Sequence, residues 1–159
     1  MDYIAGYTSP IGEILLASDG ENLIGLWFEN QKYFKNTLSS DYEEKELPIF
    51  EKVFSWLDRY FGGEKPETDF PIKPRGSAFR QQVWKRLTQV PYGETITYGE
   101  IAKEMTGGLK SAQAVGGAVG HNPISIIIPC HRVVGANGNL TGYAGGIDKK
   151  VYLLNLESE

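Results

Sequence analysis

The chain is short of the side chains that staple, ligate or anchor a protein. It has one cysteine and two histidines in 159 residues. A lone cysteine excludes an internal disulfide framework and a cysteine-rich zinc site, and it points to a reducing, cytoplasmic setting. Two histidines and one thiol build a metal site only with carboxylate help, so no metal is expected. No apolar run is long enough to span a bilayer, and Met1-Asp2-Tyr3 begins no signal peptide, so no membrane association is expected. Positive charge is also in deficit: the net charge is −4, which taken whole argues against a nucleic-acid partner.

The distribution of charge says otherwise. Through Phe70 there are 6 Lys and Arg against 14 Asp and Glu, a balance of −8; from Pro71 onward there are 10 against 6, a balance of +4. An acidic half beside a basic half hints at a support domain joined to a basic functional surface. An ordinary solvated surface would give an excess of this size too. The length fits one compact domain or two small ones sharing an interface.

The only cysteine lies in Ile126-Ile127-Ile128-Pro129-Cys130-His131-Arg132-Val133-Val134. Three isoleucines read as a buried strand, and the proline ends its ladder by offering no N–H. A thiol beside a histidine is a candidate catalytic pair. On these two residues alone, a buried, inert cysteine is the better reading.

Elsewhere, Tyr3–Tyr7, Glu13–Ser18 and Leu23–Phe28 read as three antiparallel strands joined by Ser9-Pro10-Ile11-Gly12 and Asp19-Gly20-Glu21-Asn22 turns. Asn30–Glu46 is polar, and a short helix and a loop are expected there. Phe50, Val53, Phe54, Leu57, Tyr60 and Phe61 recur at helical spacing within Leu47–Phe61, which Gly62-Gly63 ends. This aromatic stripe reads as core. Three prolines make residues 65–75 an extended connection, and the domain boundary is expected there, between residues 1–70 and 71–159.

Ser77 caps a helix over Ala78–Thr88. Thr97-Tyr98-Gly99-Glu100 has the spacing of a capping box, opening a helix that Gly107-Gly108 stops. Ser111 caps a third, Ala112–Gly120. Helix, glycine turn, helix is the helix-turn-helix arrangement. The second of these helices has almost no side chains at Gly116, Gly117 and Gly120. That suits close approach to DNA or protein, and packing against another helix accounts for it equally well. A last helix begins at Asp148.

Several ordered segments resemble one family. Pro129-Cys130-His131-Arg132-Val133 resembles the active-site motif of the O6-alkylguanine-DNA alkyltransferases, the methylated-DNA–protein-cysteine methyltransferases. Phe79–Trp84, Pro91–Tyr98, Ala114–Ala118, Asn122-Pro123, Gly142–Gly146 and Ser9–Gly12 look like its other blocks, in family order. The resemblance covers nearly the whole chain. It implies an α/β fold: a ribonuclease-H-like domain followed by a winged helix-turn-helix domain. It also implies single-turnover transfer of an alkyl group from guanine O6 in double-stranded DNA to Cys130, by a monomer without cofactor.

Residue by residue, the resemblance makes His131 the base, acting through a bridging water, and Glu157 the carboxylate that orients it. Glu157 lies near the chain end, where fraying is expected unless packing holds it. Asn122 ties the helix-turn-helix to the active-site segment, Tyr98 protonates the leaving base, and Lys150 assists. Gln113, Ala114, Gly116, Gly117, Arg132, Val133, Tyr143 and Ala144 fall at DNA- or base-binding positions, with Tyr143 as a pocket wall and the Ala144 N–H facing O6. The resemblance further implies that the side-chain-poor helix enters the minor groove and that the target base is flipped out. Two positions depart from the pattern. Gln113 stands where the family has an arginine that replaces the flipped base, and Ala144 where many members have serine. A non-catalytic alkylguanine-binding relative is the alternative, and a cysteine hydrolase or redox enzyme a third reading that leaves the helix-turn-helix unexplained.

Overall fold

In the computed structural model, residues 1–105 and 111–159 are described. The expected helix stop at Gly107-Gly108 lies outside them. The N-terminal half is a sheet of β1 (Asp2–Ser9), β2 (Gly12–Ser18), β3 (Leu23–Phe28) and β4 (Tyr42–Glu44), covered by α1 (Pro48–Phe61). The order is β3-β2-β1-β4, antiparallel except for the parallel β1–β4 pair. The first hairpin closes because Gly12 takes φ 124°, open to glycine but hardly to other residues, while the Ser9 hydroxyl donates to the Gly12 carbonyl at 2.7 Å. α1 starts with Pro48 in its first turn and buries Ile49, Phe50, Val53, Leu57 and Tyr60.

The polar segment after β3 differs from expectation. It holds no helix: it is a chain of turns in which Asn30, Tyr33 and Lys35 take positive φ, followed by the short strand β4. β4 is exposed at all three residues, so it carries no hydrophobic alternation to announce it. Its place is set by pairing with β1.

The C-terminal half contains α2 (Ala78–Leu87), β5 (Ile96–Thr97), α3 (Tyr98–Glu104), α4 (Ala112–Gly120), β6 (Val133–Val134) and α5 (Ile147–Glu157). Ser77 accepts from the Arg80 N–H and Ser111 from the Ala114 N–H, and Thr97 and Glu100 form both bonds of the capping box. β5 and β6 form a two-stranded parallel pair. Trp84, from α2, donates its indole N–H to the Ala118 carbonyl of α4 at 2.8 Å, which fixes one helix against the other.

One strand carries both halves. β3 is buried throughout, and its free edge is taken up twice. Leu23 exchanges backbone hydrogen bonds with Pro71 and Lys73, and Leu26 with Pro123 and Ser125. The second exchange brings the segment that leads to Cys130 onto the N-terminal sheet.

That segment is the main correction. Ile126-Ile127-Ile128 is buried, as a strand would be, but it is a tight turn. Ile127 N–H donates to Ser125 O, Ile128 N–H to Ile124 O, and Cys130 N–H to Ile128 O. Ile126 sits at φ 69°, which a β-branched residue rarely adopts. An apolar run of this length does not distinguish a strand from any other buried segment.

Candidate active site

Asn122 makes the turn possible. Its side chain, buried just beyond α4, accepts from the Ile124 N–H at 3.0 Å and donates to Ile124 O at 3.3 Å and Ile128 O at 2.8 Å. Backbone groups with no ladder partner are thereby satisfied inside the core. Cys130 and His131 follow at once, in a single 3₁₀ turn, Cys130–Arg132.

Cys130 is 4% exposed and borders a cavity of about 300 Å³. Tyr98, Gly117, Val119, Gly142, Tyr143 and Ala144 line the same cavity. This is the small end of ligand-site sizes. Burial pushes the thiol pKa up, against the opposing pull of Asn122, the Lys150 charge and the Tyr143 hydroxyl. The resting cysteine is therefore a thiol that needs a base. The Tyr143 hydroxyl is buried near Cys130 and Ser125 without a well-formed hydrogen bond to either.

His131 is fully buried. Its Nε2 lies 2.6 Å from Glu157 Oε2. Burial acts to raise the Glu157 pKa, but hydrogen bonds from His131, Arg132 and Tyr60 outweigh it and hold the carboxyl well below its usual range. An ionised carboxylate only accepts, so Nε2 carries the proton and Nδ1 the lone pair. Burial also pushes the His131 pKa down, partly offset by Glu157, so the ring is neutral and a proton acceptor at Nδ1. Nδ1 is buried and has no hydrogen-bond partner among the described residues.

Glu157 is not frayed. Its oxygens accept from Tyr60 O–H (2.5 Å), His131 Nε2 (2.6 Å), Arg132 Nε (2.7 Å) and NH2 (3.0 Å), and Gly93 N–H (3.2 Å). Five bonds from four other residues hold the last turn of α5. Arg132, which the resemblance puts at a DNA- or base-binding position, turns inward in this structure. Its guanidinium is spent on Glu157 and on Val90 O at 2.7 Å, because a buried carboxylate needs a cation more than solvent does. Val133 likewise does not line the cavity: it is buried in β6, and its carbonyl accepts from Lys150.

Lys150 is buried, and its ammonium donates to three carbonyls: Val133 at 2.6 Å, Thr141 and Gly142 at 3.2 Å. It sits 6.0 Å from the Tyr98 ring centroid. Burial lowers its pKa, against the pull of a Cys130 thiolate. Burial raises that of Tyr98, which keeps the phenol protonated.

α4 presents Gln113 and Gly117 to solvent, with Ala114 and Gly116 half-buried. A Cβ built on Gly117 or Gly120 would meet nothing within 4 Å, and one on Gly116 only the Tyr98 ring at 3.9 Å. Among the described residues, Gly117 and Gly120 are therefore not required for close packing against another helix. Four participants escaped the sequence reading. Tyr60 belongs to the core stripe of α1, Lys32 and Tyr33 border the cavity from the polar segment after β3, and His121 borders it from just beyond α4. The Tyr33 ring stacks on His121 with centroids 3.8 Å apart, and the Lys32 N–H donates to Ala144 O at 2.9 Å. Nothing local in sequence announces these pairings.

Residues 3–74 match the model of the 6-O-methylguanine DNA methyltransferase ribonuclease-like domain, and residues 78–159 that of the DNA-binding domain of the same family. A methylated-DNA–protein-cysteine methyltransferase of Haemophilus influenzae is 46% identical over 98% of this chain and 86% of its own. One of Methanosarcina acetivorans is 48% identical over 98% and 97%. The structure of Mycobacterium tuberculosis OGT in complex with DNA aligns with a TM-score of 0.87 at 45% identity, covering 98% of this chain and 92% of that one. With both halves matched in order and a cysteine, histidine and glutamate gathered behind one small cavity, the chain belongs to the 6-O-methylguanine DNA methyltransferase family.

Proposed function

We propose that the protein repairs O6-alkylguanine in double-stranded DNA by moving the alkyl group onto Cys130, once per molecule. The observation that carries this reading is the placement of Cys130: the sole thiol borders a base-sized cavity and is backed by a neutral histidine on an ionised, fully bonded glutamate. Residues 1–70 serve as the support domain and residues 71–159 as the DNA-binding and acceptor domain. The site of action is cytoplasmic. Among the described residues, no helix is long and apolar enough to cross a membrane.

α4 lies in the minor groove, where Gly116 and Gly117 let the backbone approach the sugars and Gln113 fills the gap left by the extruded base. The flipped guanine enters between Tyr143 and Tyr98, with its O6 toward the Ala144 N–H. His131 Nδ1 takes the Cys130 proton through a bridging water, and Glu157 stabilises the imidazolium that forms. The thiolate attacks the alkyl carbon, forming the S–C bond as the C–O bond breaks. The bonding electrons go to guanine, and the Tyr98 hydroxyl supplies a proton to the leaving base, avoiding an anion. Lys150 favours the thiolate by its charge and holds the Thr141-Gly142 side of the cavity. The product is S-alkylcysteine and unmodified guanine.

The test is to incubate the protein with duplex DNA carrying O6-methylguanine and weigh it intact. One methyl gained on Cys130, and none in Cys130→Ala, is the expected result. Tight binding to the lesion with no change in mass would overturn the proposal.

A further inference from the structure

α1 belongs to the half of the molecule that does not carry the cysteine, yet it delivers one polar atom into the relay. Tyr60 is 1% exposed, and its hydroxyl donates at 2.5 Å to Glu157 Oε2, the same oxygen that accepts from His131 Nε2. The phenol oxygen is 3.5 Å from Nε2, so two donors converge on one acceptor. The ring is held in place by Trp56, Phe61 and Tyr92, at centroid distances of 5.2, 5.5 and 6.2 Å. The hydroxyl therefore points at the carboxylate because the core leaves the ring nowhere else to go.

We propose that Tyr60 is a positioning residue of the relay, setting how strongly Glu157 draws on His131. This rests on the reading of Cys130 as an alkyl acceptor. Each donor to a carboxylate spreads its charge and weakens it as a partner for the next. With the phenol present, Glu157 holds the histidine ring in place and fixes its tautomer without raising its basicity so far that Nδ1 is protonated before the thiol arrives. Without it, the Nε2–H bond to Oε2 strengthens and the imidazolium is favoured. The other groups around this pair are settled. Arg132 and the Gly93 N–H cover the carboxylate, and Tyr92 approaches it. The Arg132 and Lys150 charges oppose protonation of His131. Among the described residues, Tyr60 is the one side chain of the N-terminal half that bonds the His131–Glu157 pair itself.

The experiment is the pH profile of single-turnover methyl transfer from O6-methylguanine duplex DNA. Tyr60→Phe keeps the ring and removes the donor. The acid limb, where His131 becomes protonated, should move up by about half a pH unit or more, with the plateau rate changed less than about tenfold. Site-specific 3,5-difluorotyrosine at residue 60, a stronger donor of the same shape, should move it down. Tyr7→Phe removes another phenol that bonds α1, at Asp58, and should leave the limb in place. A purely structural Tyr60 would slow transfer or lower Tm with the limb unmoved in both variants, and that result overturns the inference. If Tyr60→Phe does not fold, the fluorinated protein decides by itself. Absence of any methyl transfer by the unmodified protein would instead overturn the functional reading beneath it.

Discussion

His131 Nε2 and Glu157 Oε2 are 2.6 Å apart, with 0% and 1% of their side chains exposed. Residues 26 apart in the chain thus share a proton inside the core. The short bond sets the tautomer, and the tautomer leaves Nδ1 free to act. Glu157→Gln keeps the shape but loses the charge that favours the imidazolium and strands the Arg132 guanidinium. Transfer to Cys130 should slow by about 10²-fold or more, read as the single-turnover rate on methylated duplex, while binding of that duplex changes little. A rate within threefold of the unmodified protein would remove Glu157 from the relay.

Asn122→Ala leaves the Ile124 N–H without an acceptor, while the Ile124 and Ile128 carbonyls keep the Ile128 and Cys130 N–H groups as donors. Each buried polar group left unpaired costs about 1–3 kcal/mol. The turn before Cys130 already holds Ile126 in an unfavourable φ. Urea unfolding should show a loss of about 1–3 kcal/mol, with transfer impaired at temperatures where the fold persists.

Gly117→Ala separates stability from function. The added Cβ meets nothing within 4 Å among the described residues, and alanine in a helix interior is worth up to about 1 kcal/mol over glycine. The variant should melt higher and bind duplex DNA more weakly, because the methyl occupies the space the groove needs. A higher Tm with unchanged affinity would place the DNA elsewhere.

Gln113→Arg should speed repair of methylated duplex several-fold, since guanidinium stacks where an amide does not. Repair of the same lesion in single-stranded DNA should not change. Gln113 is exposed on α4.

Asp2 tests the other end of the molecule. Arg75 bonds both its oxygens, at 2.7 and 2.9 Å, and outweighs burial to bring its pKa from 3.8 down to about 2. A carboxyl depressed on folding contributes stability fully above its unfolded pKa, and that contribution fades as pH falls from about 4 to 2. Asp2→Asn should lower Tm at pH 7 and flatten the loss of Tm across that window. An unchanged acid slope would show that the pair adds nothing to folding.

What the sequence determined by itself was whatever acts over a few residues or repeats with a period. The caps at Ser77, Thr97 and Ser111 were readable because a side chain there bonds an N–H three positions on. The α1 stripe was readable because burial on a helix recurs at 3.6 residues, and the cysteine motif because its blocks run in family order. Tertiary structure decided the rest. The isoleucine run is apolar whether strand or turn, and only Asn122 and the edge of β3 bend it. β4 exists through its pairing with β1. Tyr60 lies 97 residues from the carboxylate it bonds, and its ring looks like any other member of a core stripe until its hydroxyl finds Glu157. Arg132 sits in the active-site motif, and only the buried charge beside it shows which way it turns. Local bonds leave a signature in sequence. A meeting of distant side chains in a shared low-dielectric interior leaves none.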